Sequence, residues 1–363
     1  MIDRGAFREI DWLLIGLLIT NSVIGVIFIY SSSHFLPGNN AMKQVIFIVV
    51  SLVFLFLCLA VDYKVLMTYS LFFYQAAMVV LAGLLLFARL VAHTKSWIKL
   101  PFFQVQPSEL AKIALILLLA RIFSEYKKST LSSNAGVLAI LIVLGPFILV
   151  AAQPDLGTAL TFVPVLLAAL ILAGLRKKTI AILLVVSLAA GLVGWNFALK
   201  DYQKKRLTTL FYPSQDPQGA GYHILQSKIA IGSGGLTGKG FLKGSQSQLR
   251  FLPARHTDFI FSVIGEEFGF LGVFFVMLST FLMLARMFLS VGMARDRAGV
   301  YIIFMASMLI AFQFFVNVLM IIGLFPVTGV PLPLLSYGGS SFVSNSLAVG
   351  LVINVKMRRF ANV

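Results

Sequence analysis

Charge is scarce in this chain and cysteine almost absent. Asp, Glu, Lys and Arg supply 12% of 363 residues, about half the share of an ordinary soluble domain, which excludes a water-soluble globule. The one cysteine, Cys58, rules out an intrachain disulfide and argues against redox chemistry; within its apolar run it reads as a small core residue. A cleavable leader is not expected either, because Asp3, Glu9 and Asp11 run straight into a full-length apolar stretch.

What is present is apolar length: 59% of the residues are hydrophobic and the mean hydropathy is +0.96. A bilayer core takes about 20 apolar residues as a helix. Ten such runs can be counted: 11 to 30, 43 to 61, 65 to 90, 109 to 122, 136 to 151, 156 to 175, 179 to 199, 259 to 285, 299 to 325 and 334 to 355. They predict an all-α polytopic membrane protein, a single transmembrane domain over residues 1 to 363.

The formal charge of +16 raises the question of nucleic acid, and its placement answers it. With ten spans, the loops on the N-terminal side hold fifteen basic residues, among them Arg4, Arg8, Lys64, Arg121, Arg176 to Lys178, Arg286 and Lys356 to Arg359. The short loops opposite hold Lys43, Lys95 and Lys99. That asymmetry puts both termini in the cytoplasm and removes nucleic acid as a partner.

One long loop breaks the pattern. Residues 200 to 258, between the seventh and eighth spans, face outwards yet carry nine cations, Arg206 and Arg255 among them, against Asp201 and Asp216 before Asp258 is reached. A basic surface over the outer leaflet suits an anionic head group, though long loops also translocate regardless of charge. Its glycine-rich stretch IGSGGLTGKG, Ile231 to Gly240, fails as a phosphate loop: Ser233 stands at the first glycine and Gly240 where Ser or Thr would bind magnesium. Those glycines permit close backbone approach, or turn the segment His223 to Ile231 back towards the bilayer.

The stretch FLPARHTDFIFSVIGEEFG, Phe251 to Gly269, gathers the chemistry. Asp258 falls at the membrane edge, and Glu266 and Glu267 follow roughly 12 Å deeper at about 1.5 Å per residue. Carboxylates there cost on the order of 2.5–3.5 kcal/mol each and call for a polar interior or a partner. A helix start capped by Thr257 or Asp258, with the glutamates in structural ion pairs, explains the same residues. Upstream, Pro107 suits a first helical position, and Glu109 and Lys112 share a helix face. Asp155 at the start of the sixth span is favoured by the helix dipole and offers Lys112 a partner. The fourth, sixth and eighth spans all begin outside, so Glu109, Lys112, Asp155 and Asp258 are expected around one outward cavity. A bridge that merely locks helices together remains the alternative. Asn317 to Ser341 is dense in Pro and Gly, the mark of broken helix buried against protein.

Several blocks, in order, resemble the shape, elongation, division and sporulation (SEDS) family of bacterial cell-wall proteins. They are WI with QPSELAK (Trp97, Ile98, Gln106 to Lys112), QPDLGTAL (Gln153 to Leu160), IGSGGLTGKG, FLPARHTDFIFSVIGEEFGFLG (Phe251 to Gly272), Asn317-x5-Gly323-x2-Pro326-x2-Gly329, and LLSYGGSS (Leu334 to Ser341) with Ser336, Gly338 and Gly339. The wording HTDFIFSVIGEE resembles the elongation branch more than the division branch. Two positions depart from the family: Ala254 replaces a glutamate, and Ser96 replaces an arginine with Lys95 one residue back.

The resemblance implies a glycosyltransferase of the bacterial cytoplasmic membrane that polymerises lipid II at the outer face. Asp258 would be the general base that takes a proton from the acceptor sugar. Arg206, Arg255, His256, Lys112, Gln106, Trp97 and Lys95 would bind substrate, with Glu109, Asp155, Glu266 and Glu267 as a supporting ionic network. An α-linked donor and a β-linked product imply one inverting displacement. The family also implies a class B penicillin-binding protein and other elongation-complex proteins as partners, and leaves room for a divalent cation, Mg or Mn. A transporter of lipid II would show intramembrane charges and broken helices too, but no half-chain repeat is visible. A scaffold without chemistry is the third reading.

Overall fold

The computed structural model describes residues 9–34, 39–88, 94–99, 103–125, 133–174, 201–212, 216 and 219–359. The seventh apolar run and the basic groups at residues 4, 8, 127, 128 and 176–178 fall outside them.

Helices account for nearly all the regular structure, and short polar side chains start several of them. Asp11 accepts from Leu14 N at 3.2 Å to open α1, Trp12–Ser33, and Asn39 accepts from Met42 N at 3.1 Å to open α2, Asn40–Ala60. Both satisfy a backbone donor left bare at a helix end. A short α3, Tyr63–Thr68, precedes α4, Ser70–Phe87. Strands β1, Ile98–Lys99, and β2, Gln104–Val105, pair antiparallel, a small addition to the all-helical expectation.

After them come α5, Pro107–Glu125, and α6, Ser133–Ala152. The run expected at 156 to 175 is two helices, α7, Leu156–Leu160, and α8, Phe162–Leu172, broken at Thr161. The outer segment is itself helical: α9, Asp201–Phe211; α10, Ala220–Gly234; and α11, Ser245–Gln248. Then follow α12, Ile260–Leu289; a 3₁₀ turn, Ser290–Met293; α13, Arg297–Ile321; and α14, Gly339–Met357.

Among the described residues, six helices are long and apolar enough to cross a bilayer: α1, α2, α4, α6, α12 and α13. Neither α5, with its four charged residues, nor α14, rich in Ser and Asn, reaches that composition. Both are buried along most of their length, so neighbouring helices rather than lipid meet their polar groups. By contrast, α4 leaves Phe72, Val79, Leu86 and Phe87 exposed, the surface a hydrocarbon solvent accepts.

Both ends of the described chain lie together. Asp11 pairs with Lys356 and with Arg286 at 2.9 Å, and Glu9 pairs with Arg359 at 2.9 Å. Arg358 and Lys64 add contacts to Asp62 and Asp296 at 3.6 and 3.5 Å.

Two glycine-rich segments shape the opposite end. Helix α12 is interrupted at Gly269, where φ is +60°. Phe270 N donates to Gly235 O at 2.9 Å and Leu271 N to Leu236 O at 3.1 Å, while Lys239 N and Gly240 N donate to Glu266 O and Glu267 O at 3.0 and 2.9 Å. The stretch 235–240 thus supplies partners on both sides of the break, which buried backbone requires. A Cβ on Gly234 would overlap Gly265 O, and one on Gly238 would overlap Glu267 O. Close backbone approach is therefore what these glycines provide, as expected from the sequence.

Candidate active site

Asp258 lies between α11 and α12, and the backbone around it is fixed by the last turns of α13 and the segment that follows. Buried Asn317 donates through Nδ2 to Asp258 O at 2.9 Å and Val330 O at 2.8 Å. Ser336 Oγ donates to Thr257 O at 2.6 Å and accepts from Leu332 N at 2.8 Å. Tyr337 N donates to His256 O at 2.9 Å. Helix α12 itself begins with no side-chain cap, so neither Thr257 nor Asp258 is spent as a capping group.

The carboxylate faces Gly329, where φ is +73° and an added Cβ would stand 3.6 Å from Oδ2. Asp258 is half-buried, and its pKa is pushed up to about 6: burial raises it, Thr257 and Arg206 pull it down, and Asp155 raises it further. A carboxylate held there is a better proton acceptor than one in water.

Asp155 reaches the same place through backbone. It caps α7 by accepting from Thr158 N at 3.1 Å, and Gly157 packs so closely on Thr328 that a Cβ would overlap the Thr328 carbonyl oxygen. Gln106 Nε2 donates to Asp155 Oδ2 at 2.9 Å and to Thr158 Oγ1 at 3.2 Å, while Gln106 N donates to Ser340 Oγ at 2.9 Å. Burial raises the Asp155 pKa; the hydrogen bond from Thr158 opposes it, and the charge of Glu109 adds to it. Ser96, which stands where the family pattern has arginine, is buried, and its hydroxyl has no hydrogen-bond partner.

Lys112 is placed differently from expectation. Its partner is Glu109, one turn away on the same helix at 2.8 Å, and both are buried; Asp155 is not its counter-ion. With i and i+3 side by side on one face, the nearest carboxylate takes the ammonium.

Arg255 is buried, and its Nε donates to Ser32 O at 2.5 Å at the end of α1. His256 stacks edge-on against Tyr337, centroids 5.6 Å apart, and burial followed by the charge of Arg255 lowers its pKa. Exposed Arg206 on α9 acts on Asp258 electrostatically. Beyond Asp155, Lys95 N donates to Gln153 O at 3.2 Å and its Nζ to Leu85 O at 3.3 Å. Trp97, Ile98 and Lys99 line a mainly apolar cavity of about 440 Å³ with Val80, Leu84 and Phe87 of α4.

Glu266 and Glu267 do have partners. Glu266 accepts from Lys239 Nζ at 2.8 Å, Gln246 N at 2.8 Å, Ser247 N at 3.0 Å and Ser245 Oγ at 3.2 Å, and so holds the start of α11. Glu267 accepts from Ser31 Oγ at 2.5 Å and Gln248 Nε2 at 3.3 Å. These carboxylates tie the outer segment to α12 and α1 and stand apart from the group around Asp258.

The structure thus brings Asp258, Asp155, Gln106, His256 and Gly329 together, with Pro326, Gly338 and Gly339 on the same connecting segment. Asn317 and Ser340 act in the site without having been given roles in the sequence reading. The signal for Asn317 was its place in the Asn-x5-Gly-x2-Pro-x2-Gly pattern. Among the described residues no three His, Cys, Asp or Glu side chains gather as a metal centre would need.

Comparison with known proteins identifies the family. The family model described as cell cycle protein, FtsW/RodA/SpoVE, matches residues 11–360. Peptidoglycan glycosyltransferase MrdB of Escherichia coli K12 is 41% identical over 289 residues, covering 79% of this chain and 78% of that protein. Peptidoglycan glycosyltransferase RodA of Treponema pallidum is 32% identical, covering 97% and 98%. Among solved structures, a chain of a peptidoglycan synthase complex that coordinates polymerization and crosslinking superposes with a TM-score of 0.83 at 28% identity, covering 97% of this chain and 99% of that one. The rod shape determining protein RodA of Thermus thermophilus does so with a TM-score of 0.73 at 27% identity, covering 97% and 98%. The RodA likeness is in keeping with the elongation-type wording at His256 to Glu267.

Proposed function

Because the chain belongs to the FtsW, RodA and SpoVE family, we propose that it polymerises lipid II at the outer face of the bacterial cytoplasmic membrane, with Asp258 as general base. The chain is a peptidoglycan glycosyltransferase of cell-wall synthesis. Its ten spans, with both termini in the cytoplasm, form one transmembrane domain, and residues 200 to 258 lie outside. The pairing of Asp11 with Lys356, which joins the two ends of the chain, supports that even count.

The single observation that carries the mechanism is Asp258: partly buried, set by Asn317 beside a bare glycine, with a pKa pushed up to about 6. A hydroxyl of the acceptor sugar gives its proton to this carboxylate as its oxygen bonds to the anomeric carbon of the donor. The bond from that carbon to the diphosphate breaks in the same displacement, which inverts the centre. One base suffices, and no enzyme-bound sugar is required. Arg206 offers positive charge where the leaving diphosphate gathers its own. The apolar cavity lined by Trp97, with Lys99 among its walls, suits the polyprenyl chain of the substrate. A class B penicillin-binding protein is the expected partner, alongside other elongation-complex proteins.

Purified protein in liposomes with lipid II tests this. Wild type should yield glycan polymer, and Asp258→Asn at equal abundance should yield none. Polymer surviving that change would remove the base assignment. Head groups crossing the bilayer equally in both, with no polymer from either, would hand the case to a transporter.

A further inference from the structure

Nothing said so far uses His223. It sits on α10 with its ring against Phe259, centroids 6.1 Å apart, and Phe259 directly follows Asp258 in the chain. The charges of Asp216 and Arg206 both act on His223, and that of Arg206 acts on Asp258 as well, so the imidazole and the carboxylate share the field of one cation. His223 Nδ1 is shut off from solvent without a hydrogen-bond partner. A ring kept for packing alone would be served as well by phenylalanine, without a bare nitrogen to desolvate. A ligand atom that meets this nitrogen near Arg206 is best an anionic oxygen.

We infer that His223 is a substrate-binding residue whose Nδ1 hydrogen-bonds a phosphate oxygen of the lipid-linked donor, on the Arg206 side of Asp258. The inference rests on the glycosyl-transfer reading above. In the free protein burial lowers the pKa of this imidazole, with Asp216 raising it and Arg206 lowering it. A neutral ring donates from Nδ1 in one of its two tautomers. Binding rather than bond-making is the role, because the group lies beyond Phe259 and Asp258 already takes the proton.

The test uses the full chain in liposomes with lipid II, together with calorimetric titration of the purified protein with inorganic diphosphate. In His223→Leu the KM for lipid II should rise about tenfold with kcat within about threefold, and diphosphate should bind correspondingly more weakly. His223→Asn places an amide near Nδ1 and should keep KM within about threefold, whereas His223→Gln reaches the Nε2 position and should behave as His223→Leu. Unchanged KM and diphosphate binding in His223→Leu would overturn the proposal, as would asparagine and glutamine variants that cannot be told apart. If the KM effect vanishes when phosphatidylglycerol is replaced by phosphatidylcholine, the phosphate belongs to a phospholipid and the proposal also falls. Should His223→Leu fail to fold, the asparagine and glutamine pair decides. Wild type without polymer would defeat the enzymatic reading, while the diphosphate titration still decides His223.

Discussion

Gly329 stands directly against Asp258, leaving Oδ2 3.6 Å from where a β-carbon would be. The residue meant to meet a sugar hydroxyl has open space on that side because its neighbour has no side chain. Gly329→Val should therefore lose most polymerising activity, since two methyl groups would crowd the carboxylate. The positive φ adds strain of about 1–2 kcal/mol. Product measured on gels, alongside a thermal midpoint in detergent, separates the two effects; a fully active valine variant would contradict the crowding.

Activity should climb with pH through about 6, where Asp258 loses its proton. The sign follows from the role: a base works only when deprotonated, so the acid side is the inactive side. Burial and Asp155 raise that pKa, Thr257 and Arg206 lower it. Asp155→Asn removes one raising charge and should move the midpoint to lower pH. Initial rates from pH 5 to 8 would show it, and a midpoint that stays put would break the link between the two aspartates.

The raised pKa also bears on stability. A carboxyl whose folded pKa lies above its unfolded value disfavours the folded state at higher pH, and this cost disappears below the unfolded value. Asp258→Asn should thus be more stable than wild type at pH 7.5, by up to about 3 kcal/mol, and equal to it near pH 4. Thermal melts at the two pH values would read this, and an inactive but destabilised variant would argue against a strained carboxylate.

Glu266→Ala should be costly even though Glu266 stands away from Asp258. It strips Lys239, Ser245 and the backbone of Gln246 and Ser247 of their shared acceptor. Lys239 is partly open to water, so the cost comes chiefly from the backbone and hydroxyl donors left without an acceptor, about 1–3 kcal/mol. Limited proteolysis between residues 235 and 250 should quicken, and a segment as resistant as in wild type would show that the glutamate does not hold it.

Much of the site could be read from the sequence because its parts announce themselves locally. Asp155 precedes a helix, and Asp258 opens an apolar run that two glutamates interrupt. Asn317 to Ser341 has too much Pro and Gly to be one helix. What could not be read is which side chain finds which partner. Lys112 could reach Asp155 or Glu109 from spacing alone, and the structure gives it Glu109. Gln106 meets Asp155 across 49 residues, and Asn317 meets Asp258 across 59; no periodicity carries such pairings. The break at Gly269 was hidden for the same reason, since the backbone partners that make it tolerable come from residues 235–240.

The break in α12 has a mechanical consequence. Hydrogen bonds from one short stretch fasten to the helix on both sides of Gly269, so what would be a hinge is splinted. Bending at Gly269 would have to break those bonds, so a push along residues 270–289 is expected to reach Asp258 rather than be taken up at the joint.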